Sequence, residues 1–359
     1  MISDENILAA IKEVNKTHRW RKHHTPNKIV MWVEATIPER IIELRQMIED
    51  GFEPSPAIPK RVWDESSEKW RDIFEPKLYP DQYIHHILVQ VIQKLIMRGM
   101  DKWVCGSIPG RGIHYGVRAI QKWMRDKNKT RYCGEFDIRH FYQNIKPKIV
   151  LRCMKKIIKD WRVLDLAERI IRDGIVIGFY TSQWFANLVL RELDKMIRKL
   201  ADRYIRYMDN ITIFMSNKRK LRKLRLKISA WLGENYLKLK DNWQIFRTDK
   251  RLPSALGYRY GKDFSIPRKR NLFRLKKQLS RTYRRMRKMG RATIKQACGI
   301  LSRLGQLKWC NRVQLFGQFV RTNLQRQLKN VVRRTQRKER AKWNILSVNQ
   351  PSIVSQCCS

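Results

Sequence analysis

The sequence predicts an α+β chain that ends in a strongly basic helical block. Three observations carry that expectation. Short runs with apolar residues at two-residue spacing, such as RYCGEFDI and RYIRYMDNITIF, lie between longer segments whose apolar residues recur at helical spacing. From Lys102 to Tyr258 the two kinds of segment are balanced. From residue 261 to 345 the pattern is mostly helical, and 26 Lys or Arg stand against only Asp263 and Glu339.

The elements follow in order. Residues 1 to about 50 read as a helix, a basic loop (HRWRKHHTPNK) and a second helix with Ile41, Leu44, Met47 and Ile48 at helical spacing. GFEPSPAIPKRVWD carries three prolines and reads as an extended connector. KRVWDESSEKWRDIFEP reads as strand, turn, strand with ESS at its tip. DQYIHHILVQVIQKLIMRGM is an apolar helix with Asp81 expected as its cap, and His85 and His86 on its apolar surface read as packed side chains. GSIPGRGIHYG opens another helix; it lacks the Gly-Lys-Ser/Thr ending of a P-loop, and Arg111 and His114 read as contacts to a nucleic-acid backbone.

KTRYCGEFDIRHFYQNI is a strand that ends near an aspartate, and 147–172 reads as helical. RDGIVIGFYTSQ is a loop before one long helix, WFANLVLRELDKMIRKL. A hairpin, RYIRYMDNITIF, and a basic helix, NKRKLRKLRLKISAWLGENY, come next, then short strands in KLKDNWQIFR and ALGYRYG. Trp103, Trp123, Trp161, Trp184 and Trp231 are expected in the core, and the tail SVNQPSIVSQCCS reads as disordered.

Composition narrows the partner. Lys and Arg total 78 against 32 Asp and Glu, a net charge of +46. Self-repulsion on that scale destabilises a compact state unless a polyanion offsets it. Nucleic acid is the expected partner, bound through phosphates with counterion release; a ribosome-associated or membrane-surface protein is the plainer alternative. Seven cysteines, with no C-x-x-C pair, argue against a disulfide framework or a zinc site. No apolar run reaches the ~18 residues of a membrane span, and the acidic, amphipathic opening MISDENILAAIKEV is unlike a leader. A reducing, cytoplasmic setting is expected.

Two aspartates each sit where an apolar strand ends or turns: Asp137 in YCGEFD and Asp209 in RYMDN. An Asp-Asn pair between apolar runs is itself an ordinary hairpin turn signal. Yet the helices between the two segments are long enough to bring the chain back, which would set the carboxylates together at one sheet edge. Two such groups repel and raise a pKa, and divalent cations remove the conflict. Paired Mg²⁺ ions ~4 Å apart are the usual device for in-line phosphoryl transfer.

The motif order resembles that of reverse transcriptases. Lys69 and Arg71, followed by EPKLYPDQYIHHIL, resemble the first finger motifs; EFDIRHFYQNI the first palm motif; IGFYTSQWFANLVL the motif that opens a helix and holds template and incoming base; RYMDN the Y-x-D-D hairpin; LKLKDNWQIF the fourth palm segment; ALGYRY the primer grip. The resemblance covers about 55–265 and implies a right-hand polymerase fold. Its parts would be an N-terminal helical extension (1–54), fingers (55–132), an RRM-like palm (133–262, with an insertion at about 147–172), a basic helical thumb (263–345) and a disordered tail (346–359). It further implies two Mg²⁺ ions, with Mn²⁺ as a substitute, held at Asp137, Ile138 and Asp209; dNTP substrates; and template RNA and an RNA–DNA duplex as partners.

The resemblance also assigns roles. Lys69 and Arg71 bind triphosphate, Tyr142 is the steric gate against a ribose 2′-hydroxyl, and Lys240 protonates departing pyrophosphate, with Lys238 two residues away as a competitor for that role. Gly178 lets backbone approach a base pair. Ser182 and Gln183 serve substrate, helix cap or both. Leu256, Gly257 and Tyr258 grip the primer. Two positions depart from the usual pattern. Asn210 stands where the family has a second aspartate, keeping an oxygen but losing a charge. Ile177-Gly178-x-x-x-Ser182-Gln183 replaces Q-G-x-x-x-S-P. The latter form is similar to reverse transcriptases of diversity-generating retroelements, which make error-rich cDNA and work with a small basic accessory protein. The alternatives are a phage-defence or retron-like enzyme, or a catalytically impaired RNA-binding protein on the same scaffold.

Overall fold

The computed structural model describes residues 1–19, 27–64, 69–310, 320 and 323–348. They form two compact units: 1–116 with 126–251, and 117–125 with the chain from 252 onward. Most of the expected tail, 349–359, lies outside the described residues, as does the tip of the ESS turn.

The first unit begins with α1 (Asp4–His18), capped by Ser3, whose hydroxyl accepts from Asn6 N. α2 (Lys28–Ala35) and α3 (Ile37–Glu49) follow. β1 (Ile58–Asp64) and β2 (Lys69–Glu75) form a two-stranded antiparallel hairpin, nearly all of it solvent-exposed. A kinked turn, Leu78–Gln82, with Tyr79 extended, leads into α4 (Tyr83–Arg98). Asp81 does not cap that helix. Its buried carboxylate accepts from the N–H and hydroxyl of Ser55 at 2.7 and 2.9 Å, fastening the proline-rich connector.

α5 (Ile113–Met124) precedes β3 (Tyr132–Asp137). The helical stretch after β3 is α6 (Phe141–Asn144), α7 (Pro147–Lys155) and α8 (Trp161–Ile171). The long helix expected from WFANLVLRELDKMIRKL is two: α9 (Tyr180–Val189) and α10 (Arg191–Leu200). The chain relaxes at Leu190, ψ −1°, and α10 restarts with Glu192 and Asp194 in its first turn, where acidic groups suit the helix dipole. β4 (Arg203–Tyr207) and β5 (Asn210–Met215) make the hairpin, α11 (Lys218–Glu234) is capped by Asn217, and β6 (Gln244–Arg247) closes the sheet. The sheet is four-stranded, order β4-β5-β3-β6, antiparallel throughout.

One apolar core runs through this unit. It joins Ile7 and Ile11 of α1, Ile84, Ile87 and Leu88 of α4, Phe185 of α9 and Ile211 and Ile213 of β5, all at 1% exposure or less. Trp184 and Trp123 are buried as expected, whereas Trp161 is 72% exposed: it is the first residue of α8, behind the Asp160 cap, and points away from the buried side of that helix.

The second unit holds β7 (Ser254–Ala255), β8 (Tyr258–Tyr260) and β9 (Ser265–Pro267), an antiparallel three-stranded sheet. α12 (Lys269–Met289) ends at Gly290, α13 (Ile294–Gln306) starts with a Thr293/Gln296 capping box, and α14 (Leu324–Val348) follows. Leu275, Leu279, Ala297, Ile300, Leu304, Leu324 and Leu328 form its own core. The helix end 117–125 belongs here: Gln121 donates to Ser265 Oγ at 2.7 Å and to the Trp309 carbonyl at 2.9 Å.

Candidate active site

β3 and β5 pair so that Asp137 lies opposite Asn210. Asp209 occupies the two-residue turn between β4 and β5, after Met208 in the left-handed region at φ 55°. The Ile138 N–H donates to the Asp209 carbonyl at 3.2 Å, so the two aspartates are one strand crossing apart. Ile138 is fully buried, and its main chain is all it can offer a metal. The segment before β6 crosses the other edge of β3: Lys240 N–H donates to the Asp137 carbonyl, and Arg139 N–H to the Lys238 carbonyl, both at 2.8 Å. This crossing resolves the choice of lysine at Asp137. Lys240 Nζ lies 2.6 Å from Asp137 Oδ1, while Lys238 is exposed.

The electrostatics are those of a carboxylate pair in short supply of counter-charge. Burial raises the pKa of Asp209, the negative charge of Asp137 raises it further, and Lys240 and the Asn210 amide pull against both. Asn210 is exposed and its Nδ2 donates to Asp209 Oδ1 at 3.0 Å. That is a bond an aspartate at 210 could not make while ionised. Asp137 Oδ1 is buried and accepts no hydrogen bond; the Lys240 ammonium opposes its charge without hydrogen-bond alignment. A buried carboxylate oxygen that meets a lysine ammonium and lies next to a second carboxylate suits a divalent cation. Among the described residues no group of three or more His, Cys, Asp or Glu is placed to hold a metal, so the carboxylates come as a pair.

The remaining expected residues fall at different distances from this chemistry. Tyr142 belongs to α6, not to a continuing strand; Phe141 beside it is buried and Tyr142 half-buried. Burial, and then the nearby charge of Asp209, push its phenol well above the usual range. Lys69 and Arg71 share the β1–β2 hairpin face with Asp64, opposite Lys69 in register, and Arg71 Nε donates to Asp64 Oδ2 at 2.6 Å. Arg111, read as a backbone contact, donates to the Asp101 carbonyl.

The Ile177 carbonyl accepts from Phe74 N–H at 2.8 Å, so the loop before α9 is stitched to β2. Gly178, φ 119°, answers to the same neighbour: a Cβ there would lie 2.1 Å from the Phe74 carbonyl oxygen. Backbone of the chain itself already demands glycine here. Ser182 and Gln183 do not cap α9. The cap position is Phe179, and the two residues lie inside the first turn, Ser182 buried and Gln183 exposed. Leu256 and Gly257, φ 53° and 86°, form the turn between β7 and β8 in the second unit, and Tyr258 is 3% exposed with its hydroxyl donating to the Gln306 carbonyl. Tyr258 therefore anchors the turn instead of presenting its ring.

Sequence reasoning missed Arg206 and Asp194. Arg206 is 0% exposed on β4, and its Nε and Nη2 each donate to the fully buried Asp194 carboxylate at 2.7 Å. A charged residue inside an apolar strand, three positions before Asp209, was the available signal.

A model of the reverse transcriptase (RNA-dependent DNA polymerase) family matches residues 58–259, which spans the hairpin, both aspartates and the β7–β8 turn. The chain belongs to the reverse transcriptase family. A curated relative, protein YkfC of Escherichia coli (strain K12), is 20% identical over 197 residues, covering 49% of this chain and 51% of the relative. The chain thus spans about half the length of the curated relative it matches. Among solved structures, apo telomerase from Candida tropicalis is similar at 12% identity and a TM-score of 0.47, covering 74% of this chain and 66% of that one. A form truncated from its C-terminal domain gives 14% and 0.44, covering 59% and 53%. The chain is an α+β protein that carries a reverse transcriptase domain over residues 58–259. The family uses divalent metal ions. No helix among the described residues is long and apolar enough to cross a membrane.

Proposed function

We propose that the chain copies an RNA template into error-rich cDNA, as the polymerase of a diversity-generating retroelement. The observation that carries the polymerase part is the convergence of Asp137, Asp209 and Lys240 at one end of the palm-like sheet. Asp137 and Asp209, with the Ile138 main chain, would hold two Mg²⁺ ions, which when bound activate a primer 3′-hydroxyl and neutralise triphosphate charge. The chain's own residues do the rest. Lys69 and Arg71 draw the triphosphate to the hairpin. The Tyr142 ring, fixed by burial beside Asp209, leaves no room for a 2′-hydroxyl. Lys240 gives its proton to departing pyrophosphate.

The mutagenic part rests on Ile177 and Gln183. An apolar side chain at 177 removes a polar contact near the base pair, and fewer specific contacts leave less free energy separating right from wrong nucleotides. Template RNA, an RNA–DNA duplex, dNTPs and a small basic accessory protein are the partners. Fingers (55–132), palm (133–262) and thumb (263–345) are assigned here in chain order; the two compact units divide instead at 117–125 and after 251.

Primer extension on poly(rA)/oligo(dT) with Mg²⁺ tests this reading. Asp137→Ala and Asp209→Ala should each abolish extension while RNA binding persists; loss of binding alone would contradict the roles. Ile177→Gln should lower errors at template adenines. A second reading is favoured by Asn210: an RNA-binding protein without catalysis. Absence of extension both in the wild type and in Asn210→Asp would select it.

A further inference from the structure

The turn that carries Asp209 is short, exposed at Asn210 and left-handed at Met208. A residue other than glycine at positive φ persists where its surroundings over-determine it. Those surroundings form a closed ring. Arg206 Nη1 donates to the Met208 carbonyl at 2.9 Å and to Asn187 Oδ1 at 3.0 Å. Asn187, on α9, donates through Nδ2 to the Gly106 carbonyl at 3.0 Å. Gly106 lies against the turn from the other side: a Cβ there would be 2.7 Å from Met208 N. The Arg206 main chain is bonded as well, N–H to the Trp103 carbonyl at 3.1 Å and carbonyl to Cys105 N–H at 2.8 Å. Asp194 holds the guanidinium in both oxygens and also accepts from Tyr204 OH at 2.7 Å.

Stability alone does not account for this arrangement. A buried ion pair is often no better than well-packed apolar side chains of similar volume. What such side chains could not do is donate to the Met208 carbonyl. We propose that Arg206 is a positioning residue for Asp209: clamped by Asp194, its guanidinium holds the Met208 carbonyl and fixes the turn that presents the metal-binding carboxylate. The inference rests on the polymerase reading and deepens it. It also assigns Asn187 a part, since the ring connects the helix behind the Ile177–Gln183 motif to the catalytic turn. Lysine cannot replace Arg206, because one ammonium cannot span Asp194, Asn187 and Met208 in a fixed fork.

The test separates positioning from folding. The triple variant Asp194→Leu, Tyr204→Phe, Arg206→Met removes the buried charges and the hydroxyl together, and should melt within a few degrees of wild type. Three readouts then decide: melting temperature, Mn²⁺ affinity without substrate, and primer extension. Positioning predicts Mn²⁺ bound about tenfold more weakly, the usual loss when an orienting partner is removed. It also predicts kcat about 100-fold lower at saturating metal, with KM for dNTP unchanged. A folded triple variant with wild-type Mn²⁺ affinity and kcat overturns the proposal. Should the triple variant not fold, Asn187→Ala removes one leg of the ring and should weaken Mn²⁺ binding in the same direction; unchanged affinity and rate there overturn it equally. A wild type that neither extends primers nor binds Mn²⁺ would instead sink the polymerase reading itself, and the positioning role with it.

Discussion

Lys240 Nζ lies 2.6 Å from Asp137 Oδ1, with no hydrogen-bond alignment and no other donor on that oxygen. The lysine thus sets a positive charge against that oxygen, and under the proposed function it would also serve as the proton donor. Lys240→Arg keeps the charge but cannot release a proton. It should retain thermal stability and lose about 100-fold in extension rate, within the range for general acid catalysis. Lys240→Met should lose the rate and, in EDTA, melting temperature as well. A Lys240→Arg enzyme at full rate would remove the proton-donor role.

Asn210 donates to Asp209 Oδ1. Asn210→Asp exchanges that donor for a second negative charge. In EDTA the variant should melt lower than wild type, because carboxylates at 137, 209 and 210 repel. In millimolar Mg²⁺ the order should reverse, since a third carboxylate strengthens a hard-cation site. Melting curves with and without Mg²⁺ check both signs. The same order in both buffers would remove 210 from the metal site.

His85 is fully buried beside Phe179 and Thr181, and its Nε2 has no hydrogen-bond partner among the described residues; His86 stacks on Tyr180 at 4.1 Å. Burial takes the two imidazoles down to about 3 and about 4, with His86 adding repulsion for His85 and His18 for His86. Below pH 6.5 the unfolded chain takes up protons that the folded one refuses, so stability is full above that pH and falls as pH drops toward 4. The loss should be roughly 3 kcal/mol or more across that window. The variant His85→Gln, His86→Phe should show a shallower acid limb in chemical unfolding at pH 4.5 to 7. Parallel limbs would mean the pair titrates freely.

Gly178→Ala sets a methyl against the Phe74 carbonyl at φ 119°. It should destabilise the first unit by about 1–3 kcal/mol, the range for stored backbone strain, and lower extension through the displaced hairpin. Unchanged melting would show that the loop gives way easily.

Local signals made much of this legible. Alternation in YCGEFD and RYMDNITIF located β3, β4 and β5, and acidic residues at strand ends pointed to the site. The antiparallel return through the intervening helices followed from chain length and was met by the Asp137–Asn210 register. What stayed hidden depends on distant partners. Arg206 finds Asp194 on a helix that reads as amphipathic with or without it. Arg71 faces Asp64 only because of hairpin register. Asp81 looked like a cap, but a serine 26 residues upstream takes its carboxylate. The break at Leu190 leaves no glycine or proline to announce it.

The Arg71–Asp64 pair has a consequence for what the hairpin will accept. A newcomer must displace an internal carboxylate before Arg71 is free to meet it. A monoanion gains little by that exchange, since it offers one negative group for another. A nucleoside triphosphate would bring several at once and could also engage Lys69 on the same strand face. Under the proposed function the hairpin would therefore favour a polyanion over a singly charged ligand.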